Sequence, residues 1–302
     1  EMIASVLGQR KKVLATQGNL NNDIGLPLTL FKLSTDHQVA VVEMGANHPG
    51  EIDYLASIAK PDVAVLTNAG PAHLEGFGSL EGVARAKGEM FTRLSSSGTA
   101  IINRDDDFFG LWKELARGKK VVTFGLDASA DFHARRESPS RMASEKFVLC
   151  TPLGEVPVQL PLAGIHNTRN ALAAAAACFA VGYGLDDIVA GLERVKPVAG
   201  RLQFNRVASG AMVCDDTYNA NPLSLKAAME TLADMSGTPW LVLGDMGELG
   251  LDAERLHRDS GALARKLGVQ RLFGFGRLSG AAVEAFGEGG QHFADLDSLL
   301  KT

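Results

Sequence analysis

The amino-acid sequence predicts a mixed α/β fold with two consecutive units, each built around a mostly parallel sheet. Three observations support this fold class. Short, continuous apolar runs alternate with segments of helix length, a pattern typical of parallel strands buried on both faces. Alternating apolar and polar residues at 131–162 indicate a small antiparallel sheet. The α/β rhythm starts again after a Pro- and Gly-containing segment at 196–203.

The first unit contains four predicted strands and two helices between them. The strands are VAVVE, VAVLT, TAII and KVVTF, at 39–43, 63–67, 99–102 and 120–124. The helices are predicted at 50–59 and 79–94. Alternation of strands and helices favours a doubly wound sheet. The first ten residues, EMIASVLGQR, are typical of the interior of a helix, and the last eight, DLDSLLKT, of an interrupted one.

The antiparallel region is predicted from FHARR, EKFVLC and VPVQLPL, and two helices follow it, at about 167–181 and 185–195. The segment KPVAGRLQ divides the chain into a central domain, 1–200, and a C-terminal domain, 201–302. The C-terminal domain is predicted to be Rossmann-like, with strands 211–215, 240–243 and 271–275 and helices 222–234, 252–267 and 277–286.

Composition excludes several classes of protein. The chain has 302 residues and a net charge of −5, so it has no global basic field for nucleic acid. Cys150, Cys178 and Cys214 are far apart and form no CxxC pair, which favours reduced core thiols in a cytoplasmic protein. No apolar run reaches the roughly 18 to 20 residues of a membrane helix, and we expect no membrane insertion.

Three residue types near predicted strand ends suggest a metal and phosphate site. Glu43 ends a predicted strand, where a carboxylate suits Mg²⁺. His73 follows the next strand in a Gly-flanked loop and offers a neutral nitrogen. Lys87 lies on a helix; a desolvated lysine can react with CO₂ to give a carbamate, which is an oxygen ligand. The alternatives are a loop-capping acid, a solvated histidine and a surface lysine.

Other polar segments are candidates for nucleotide or substrate binding. His166, Asn167 and Asn170 gather at the start of a helix, where anions and polar ligands bind favourably, although an Asn helix cap is the alternative. Arg201 lies in the linker, from which it can reach a phosphoryl group when domains close; an interdomain salt bridge is the alternative. The loop GNLNNDIGLP is a candidate for binding sugar, phosphate or peptide groups. The segments DDTYNANP and GDMGELG are candidates for binding nucleotide or substrate, with ordinary turn chemistry as the alternative.

Taken together, these segments resemble the Mur ligase family. The matching words run in order over nearly the whole chain: GNLNNDIGLPLTL, VEMGANHPGEI, NAGPAHLEGFGSLEGVARAKGEMF, LAGIHNTRNALAAA, GRL, DDTYNANP and GDMGELG. The resemblance implies a central ATP-binding domain followed by a C-terminal ligase domain. It implies an ATP-dependent amide ligase of peptidoglycan synthesis that adds D-alanyl-D-alanine to UDP-N-acetylmuramoyl-tripeptide through an acyl phosphate, acting as a monomer.

The resemblance also assigns residues. It implies that Glu43, His73 and carbamylated Lys87 hold two Mg²⁺ ions, and that these three residues and Arg201 are catalytic. The residues that it implies for ATP binding are His166, Asn167, Asn170, Arg201 and Asp216. The positions it implies for substrate contacts are Asn19, Asn22, Asn68, Tyr218, Asn219 and Asn221.

The sequence departs from the family pattern in one respect: it does not contain the phosphate-binding loop GxxGK[ST], which would precede Glu1. We expect the ligase to be a longer protein, with a UDP-binding domain before this chain, and this chain alone to be a poor catalyst. A sister Mur ligase, a folylpolyglutamate synthetase-like ligase, a non-catalytic nucleotide- or sugar-binding module and a metallohydrolase are the alternative functions.

Overall fold

The computed structural model describes residues 1–71, 73–135 and 144–301. The α-helices are Met2–Leu7 (α1), Gly25–Leu30 (α2), Glu51–Ala59 (α3), Leu74–Phe77 (α4), Leu80–Thr92 (α5), Phe109–Leu115 (α6), Ile165–Ala180 (α7), Leu185–Leu192 (α8), Pro222–Asp234 (α9), Ala253–Lys266 (α10), Ser279–Phe286 (α11) and Leu296–Leu300 (α12).

The strands are three to seven residues long. They are Val13–Ala15 (β1), Val39–Val41 (β2), Val63–Leu66 (β3), Thr99–Asn103 (β4), Lys120–Phe124 (β5), His133–Arg135 (β6), Glu145–Thr151 (β7), Gly154–Leu160 (β8), Gln203–Arg206 (β9), Met212–Asp215 (β10), Trp240–Leu243 (β11), Arg271–Phe275 (β12) and Gly290–Phe293 (β13). A 3-10 turn, Gly250–Asp252, precedes α10. The predicted mixed α/β fold class is therefore confirmed.

The first unit is organised around the parallel sheet β3-β4-β5. Its middle strand is buried on both faces: Ile101 packs into a core with α1, α7 and α8, while Ala100 and Ile102 pack against α5 and α6. A second parallel pair, β1-β2, belongs to the same unit. The alanines of α7 keep its side chains small, which allows the helix to approach the sheet closely.

The predicted antiparallel region contains a three-stranded sheet with the order β6-β7-β8. Residues 136–143, including the last Arg of FHARR, lie outside the described residues. The inward side chains Phe147, Leu149, Val158 and Leu160 join the core that contains α7. This small sheet therefore extends the first unit rather than forming a separate core.

The second unit contains the parallel sheet β11-β12-β13 and the antiparallel pair β9-β10. The predicted strand at 211–215 is present as β10, but it lies outside this parallel sheet. Strand β10 instead pairs with β9, because the turn Val207–Ala211 brings the two segments together as a hairpin. Helices α10 and α11 pack closely, since a Cβ on Gly261 would lie 1.9 Å from the carbonyl oxygen of Ala282.

Several predicted environments also need correction. Strand β2 is not buried on both faces, because it lies in a two-stranded sheet and Ala40 is exposed. Cys150 and Cys178 are buried as expected, but Cys214 is only half-buried because it lies in the exposed hairpin. In the described ranges, no helix is both long and apolar enough to cross a membrane.

The two units contact each other through loops that lie next to the predicted site residues. Leu223, at the start of α9, lies against Gly70, where an added Cβ would meet its side chain at 2.9 Å. Helix α9 also packs on α7, with Thr231 next to Gly164. The loop after β11 reaches α4, where Gly250 lies beside Glu75. Loops of both units therefore contact each other beside the segments that carry the predicted site residues.

Candidate active site

Lys87 lies on α5 and is half-buried. Ser79 caps this helix by accepting a hydrogen bond from the backbone N–H of Gly82 at 3.0 Å. The Lys87 Nζ donates to the carbonyl oxygen of Asn68 at 3.0 Å, in the loop after β3. Burial lowers the pKa of Lys87, and the nearby Asp106 carboxylate opposes this shift. The side chain is therefore a desolvated amine, not the surface lysine that was the alternative.

Asp106 is a residue that sequence reasoning missed. Its Oδ2 accepts from the N–H of Ala69 and its Oδ1 from the N–H of Phe108, each at 3.0 Å. Burial raises the pKa of Asp106, and these hydrogen bonds and Lys87 oppose the rise. Three consecutive aspartates follow the apolar run of β4. Acids directly after a predicted parallel strand were the signal that could have identified this position.

Glu43 lies two residues beyond the end of β2 and is exposed. Its backbone N–H donates to Thr16 Oγ1 at 2.9 Å, which ties the segment to the end of β1. Its Oε1 accepts from Asn21 Nδ2 at 2.8 Å. The expectation that Glu43 ends a buried strand is wrong, because β2 stops at Val41 and the following residues form a loop. The carboxylate nevertheless faces the polar loop 18–24.

The loop after Glu43 approaches α4 very closely. A Cβ on Gly76 would lie 1.9 Å from the carbonyl oxygen of Asn47, a distance no side chain tolerates. Glu51 organises the loop by accepting from the N–H of Asn47 at 2.7 Å, and Glu89 of α5 accepts from the N–H of Gly50 at 2.9 Å. These contacts bring the Glu43 segment next to the segment that begins at His73.

His73 immediately precedes α4 and has a left-handed backbone, with φ of 54°. Its Nδ1 contacts the carboxylate of Glu248, from the loop after β11. Among the contacts of the described residues, none joins the side chains of Glu43, His73 and Lys87 directly. The structure therefore brings their segments together without assembling the three groups around a point.

The loop 18–24 has polar side chains with different structural roles. Asn22 Oδ1 accepts from the N–H groups of Ile24 and Gly25, at 3.3 and 2.8 Å, and so initiates α2. Asn19 and Asn68 are exposed. Substrate contacts by Asn19, Asn22 and Asn68 stay predictions, and the structure adds that Asn22 also has a turn role.

The predicted nucleotide segment lies at the start of α7. Asn167 Nδ2 donates to the carbonyl oxygen of Ala163 at 2.7 Å, and Asn170 Nδ2 donates to Asn167 Oδ1 at 3.4 Å. His166 is largely buried, and burial, assisted by Arg169, lowers its pKa to about 4. Within the described residues its buried Nδ1 has no hydrogen-bond partner. The three predicted residues are thus adjacent, with a neutral imidazole among them.

The linker is attached to the loop that begins the second unit. The Arg201 guanidinium stacks over the Tyr218 ring, 4.3 Å from its centroid. Asp216 Oδ1 accepts from the N–H of Leu202 at 3.1 Å, and the Tyr218 N–H donates to Gly200 at 3.0 Å. Burial raises the pKa of Asp216, with Arg201 opposing. The structure therefore brings Arg201, Asp216 and Tyr218 together at the hinge.

Two predicted substrate residues lie just beyond this hinge. Asn221 caps α9 by accepting from the N–H groups of Leu223 and Ser224, at 3.1 and 2.9 Å, in a capping box with Pro222 in the first turn. Asn219 is exposed, and its Oδ1 accepts from the adjacent N–H of Ala220 at 2.8 Å. Asn221 thus has a structural role as a helix cap, and substrate contacts by both residues stay predictions.

The loop GDMGELG is held by buried hydrogen bonds. The N–H of Met246 donates to His257 Nε2 at 2.9 Å, so the His257 proton lies on Nδ1, which is 2.7 Å from the carbonyl oxygen of Ala253. Asp245 Oδ1 accepts from the N–H groups of Leu278 and Ser279. These anchors leave Glu248 at the exposed tip that points toward the first unit.

Comparisons with known proteins cover the whole chain. The family model of the Mur ligase middle domain matches residues 1–178, and that of the Mur ligase glutamate ligase domain matches residues 200–302. The UDP-N-acetylmuramoyl-tripeptide–D-alanyl-D-alanine ligase of Escherichia coli is 46% identical over 301 residues. That alignment covers 99% of this chain and 66% of the relative.

Solved structures give the same result. MurF from Acinetobacter baumannii superposes with a TM-score of 0.95 at 39% identity, over 99% of this chain and 65% of that one. MurF from Thermotoga maritima, in complex with ADP, gives a TM-score of 0.88 at 28% identity, over 100% of this chain and 69% of that one. The chain thus spans 65% and 69% of the length of these two proteins.

Proposed function

Since the chain belongs to the Mur ligase family, we propose that it acts in the ATP-dependent joining of D-alanyl-D-alanine to UDP-N-acetylmuramoyl-tripeptide. The observation that carries this proposal is the 46% identity with the E. coli ligase of that name, spread over 99% of the chain and both units. The alternatives of a sister Mur ligase or a folylpolyglutamate synthetase-like enzyme are not favoured, because the matches to such structures are at or below 21% identity and indicate the fold alone.

The proposed magnesium ligands are Glu43, His73 and the carbamate of Lys87. Across the described ranges, no three His, Cys, Asp or Glu side chains are arranged to hold a metal ion. A site built on Glu43 and His73 would take further oxygen ligands, because Mg²⁺ prefers an octahedral set of them. The desolvated Lys87 amine fits this need: its neutral nitrogen adds to CO₂, one proton leaves, and the product is an anionic oxygen ligand.

The proposed nucleotide contacts come from α7 and the hinge. Asn167 and Asn170 offer amide groups that can both donate to and accept from a base, and the neutral His166 stands beside them. Arg201 lies where the two units join, so its guanidinium can reach a phosphoryl group when they approach. Asp216 holds the linker beside Arg201, because its carboxylate accepts a hydrogen bond from the backbone N–H of Leu202.

The reaction requires two anions to meet, because the peptide carboxylate attacks the γ-phosphoryl group of ATP. When bound, Mg²⁺ would supply positive charge to the phosphate oxygens. Arg201 adds a fixed cation on the side of the second unit, and closure of the units excludes water from the acyl phosphate. The amine of D-alanyl-D-alanine then forms the amide bond, and phosphate leaves.

We further infer a cytoplasmic monomer that does not bind nucleic acid. The three free thiols and the net charge of −5 support this environment and this partner class. Sedimentation of the purified protein would test the oligomeric state.

The test is a ligation assay on the product of the whole open reading frame that contains these 302 residues. ATP, Mg²⁺, UDP-N-acetylmuramoyl-tripeptide and D-alanyl-D-alanine are supplied, and both phosphate and the ligated pentapeptide are measured. We expect phosphate release to require the dipeptide. Release without any amine acceptor would instead indicate a metallohydrolase, and ATP binding without release would indicate a non-catalytic module.

A further inference from the structure

Glu248 and His73 meet across the two units. Glu248 lies at the tip of the loop between β11 and the 3-10 turn, and His73 precedes α4 in the first unit. The Glu248 carboxylate contacts Nδ1 of the imidazole, which is 175 residues away in the sequence. The side chains are 64% and 38% exposed, so a ligand can still reach the remaining edge of the ring.

The Nδ1 atom itself is buried. Apart from the contact with Glu248, it has no hydrogen-bond partner in the described part of the chain. An ionised carboxylate has only acceptor sites, so it favours a proton on the nitrogen that it faces. With the proton held on Nδ1, the Nε2 atom keeps its lone pair, which is the form in which a histidine binds a metal.

Both residues have unusual backbones. His73 and Glu248 have φ angles of 54° and 59°, and among the described residues only Lys60 and Leu202 share this left-handed conformation outside glycine. The left-handed region costs a non-glycine residue roughly 1 kcal/mol or more, and it persists only where the surrounding structure holds it. The buried hydrogen bond from Met246 to His257 provides such support beside Glu248.

We propose that Glu248 is a positioning residue: it holds the tautomer and orientation of His73 so that Nε2 faces the metal. The proposal rests on the proposed function, in which His73 is a magnesium ligand. Histidines that bind metals commonly donate their other ring N–H to a carboxylate, and loss of that partner weakens metal binding by about 10- to 100-fold. Because Glu248 belongs to the second unit, metal affinity at His73 would depend on the approach of that unit.

The experiment combines two measurements on the protein and four variants. Two-bond ¹H–¹⁵N spectra of ¹⁵N-histidine-labelled protein without metal report the tautomer of His73, whose signals are assigned from His73→Ala. Titration with Mn²⁺ in bicarbonate buffer then gives metal affinity, with paramagnetic broadening of the His73 signals as the site-specific readout. The variants are Glu248→Ala, Glu248→Gln, His73→Ala and Glu75→Gln.

We expect the Nδ1–H tautomer in the wild type and a shift toward Nε2–H in Glu248→Ala, with Mn²⁺ binding about 10- to 100-fold weaker. Glu248→Gln keeps an oxygen acceptor and should retain the wild-type tautomer. Glu75→Gln removes a charge from α4, next to His73, and should change neither result.

Two unfavourable outcomes can be told apart. If Glu248→Ala keeps the wild-type tautomer and affinity while His73→Ala loses Mn²⁺, the positioning role of Glu248 is wrong and the metal role of His73 stands. If His73→Ala binds Mn²⁺ as tightly as the wild type, His73 is not a ligand, and the metal part of the proposed function fails together with this inference.

Discussion

The Lys87 ammonium nitrogen donates a hydrogen bond to the carbonyl oxygen of Asn68 at 3.0 Å, which holds a helix lysine against the loop that follows β3. This contact turns the side chain inward, and burial lowers its pKa despite the nearby Asp106 carboxylate. A larger fraction of neutral amine at neutral pH favours reaction with CO₂. The position of Lys87 is therefore suited to carbamylation, which leads to a direct test.

Substitution Lys87→Ala should reduce the ligation rate by roughly 10²-fold or more, because the proposed carbamate ligand of Mg²⁺ could no longer form. Added short-chain carboxylates should restore part of the rate by supplying the missing oxygen ligand. The measurement is the rate of ligated product with and without propionate. Arg85→Ala, on the exposed side of the same helix, is the control and should keep the wild-type rate. A Lys87→Ala protein with undiminished activity would refute the carbamate.

Gly76→Ala tests the close approach of the Glu43 loop to α4. The new Cβ would lie 1.9 Å from the carbonyl oxygen of Asn47, so the backbone must move. We expect a loss of about 1 to 3 kcal/mol in the free energy of unfolding, as for other overpacked sites. Urea denaturation measures the change.

Gly110→Ala provides the matched control for Gly76→Ala. Gly110 also lies in a helix, α6, and an added Cβ there would meet no heavy atom within 4 Å. This substitution should be neutral or stabilise by about 0.4 to 1 kcal/mol, because alanine restricts the unfolded chain. Equal stability of the two variants would mean that the Asn47 loop does not pack against Gly76.

Much of the fold was predictable because its strands carry a local signal. The continuous apolar runs at 63–66 and 120–124 form strands that each pair in parallel with β4. In the second unit, 240–243 and 271–275 pair in parallel with each other. Strands β9 (QFNR) and β13 (GQHF) were missed because their composition is polar or Gly-containing, and they are strands only through pairing with β10 and β12. The local residue pattern of a segment does not show which other strand it will pair with.

The candidate site was only partly predictable for the same reason. Polar residues after strands identified the segments of Glu43 and His73, since the carboxyl ends of parallel strands share an edge. The desolvation of Lys87 depends on Asn68 and Asp106, and the contact of His73 depends on Glu248 in the other unit. Such effects arise from packing between distant segments, so they cannot be predicted from the spacing of residues in the sequence.

Arg201→Ala tests the hinge cation. We expect kcat for ADP formation to fall by about 10²-fold at saturating ATP, because the proposed function uses this positive charge to stabilise the phosphoryl group. The free energy of unfolding should change little, since Arg201 is exposed and contributes one stacking contact with Tyr218. Arg206→Ala, an exposed arginine on β9, is the control. An unchanged kcat in Arg201→Ala would assign Arg201 a structural role only.

His166 predicts a specific dependence of stability on pH. Burial, assisted by Arg169, lowers its pKa from the ordinary value of 6.5 to about 4. Between those values the unfolded chain binds a proton that the folded protein excludes, so stability rises with pH across this window. The contribution is fully present above pH 6.5 and is lost as the pH falls to 4; it amounts to at most about 3 kcal/mol.

Urea denaturation of the wild type and His166→Asn at several pH values between 4 and 7 measures this contribution. The variant has no ionisable group at position 166, so its free energy of unfolding should fall less steeply toward pH 4 than that of the wild type. His48→Asn removes an exposed imidazole and controls for other effects of losing a histidine. Parallel pH profiles for the wild type and His166→Asn would contradict this prediction. They would mean that the His166 ring is protonated in the folded state as readily as in the unfolded chain, despite its position beside Gly164 and Thr231.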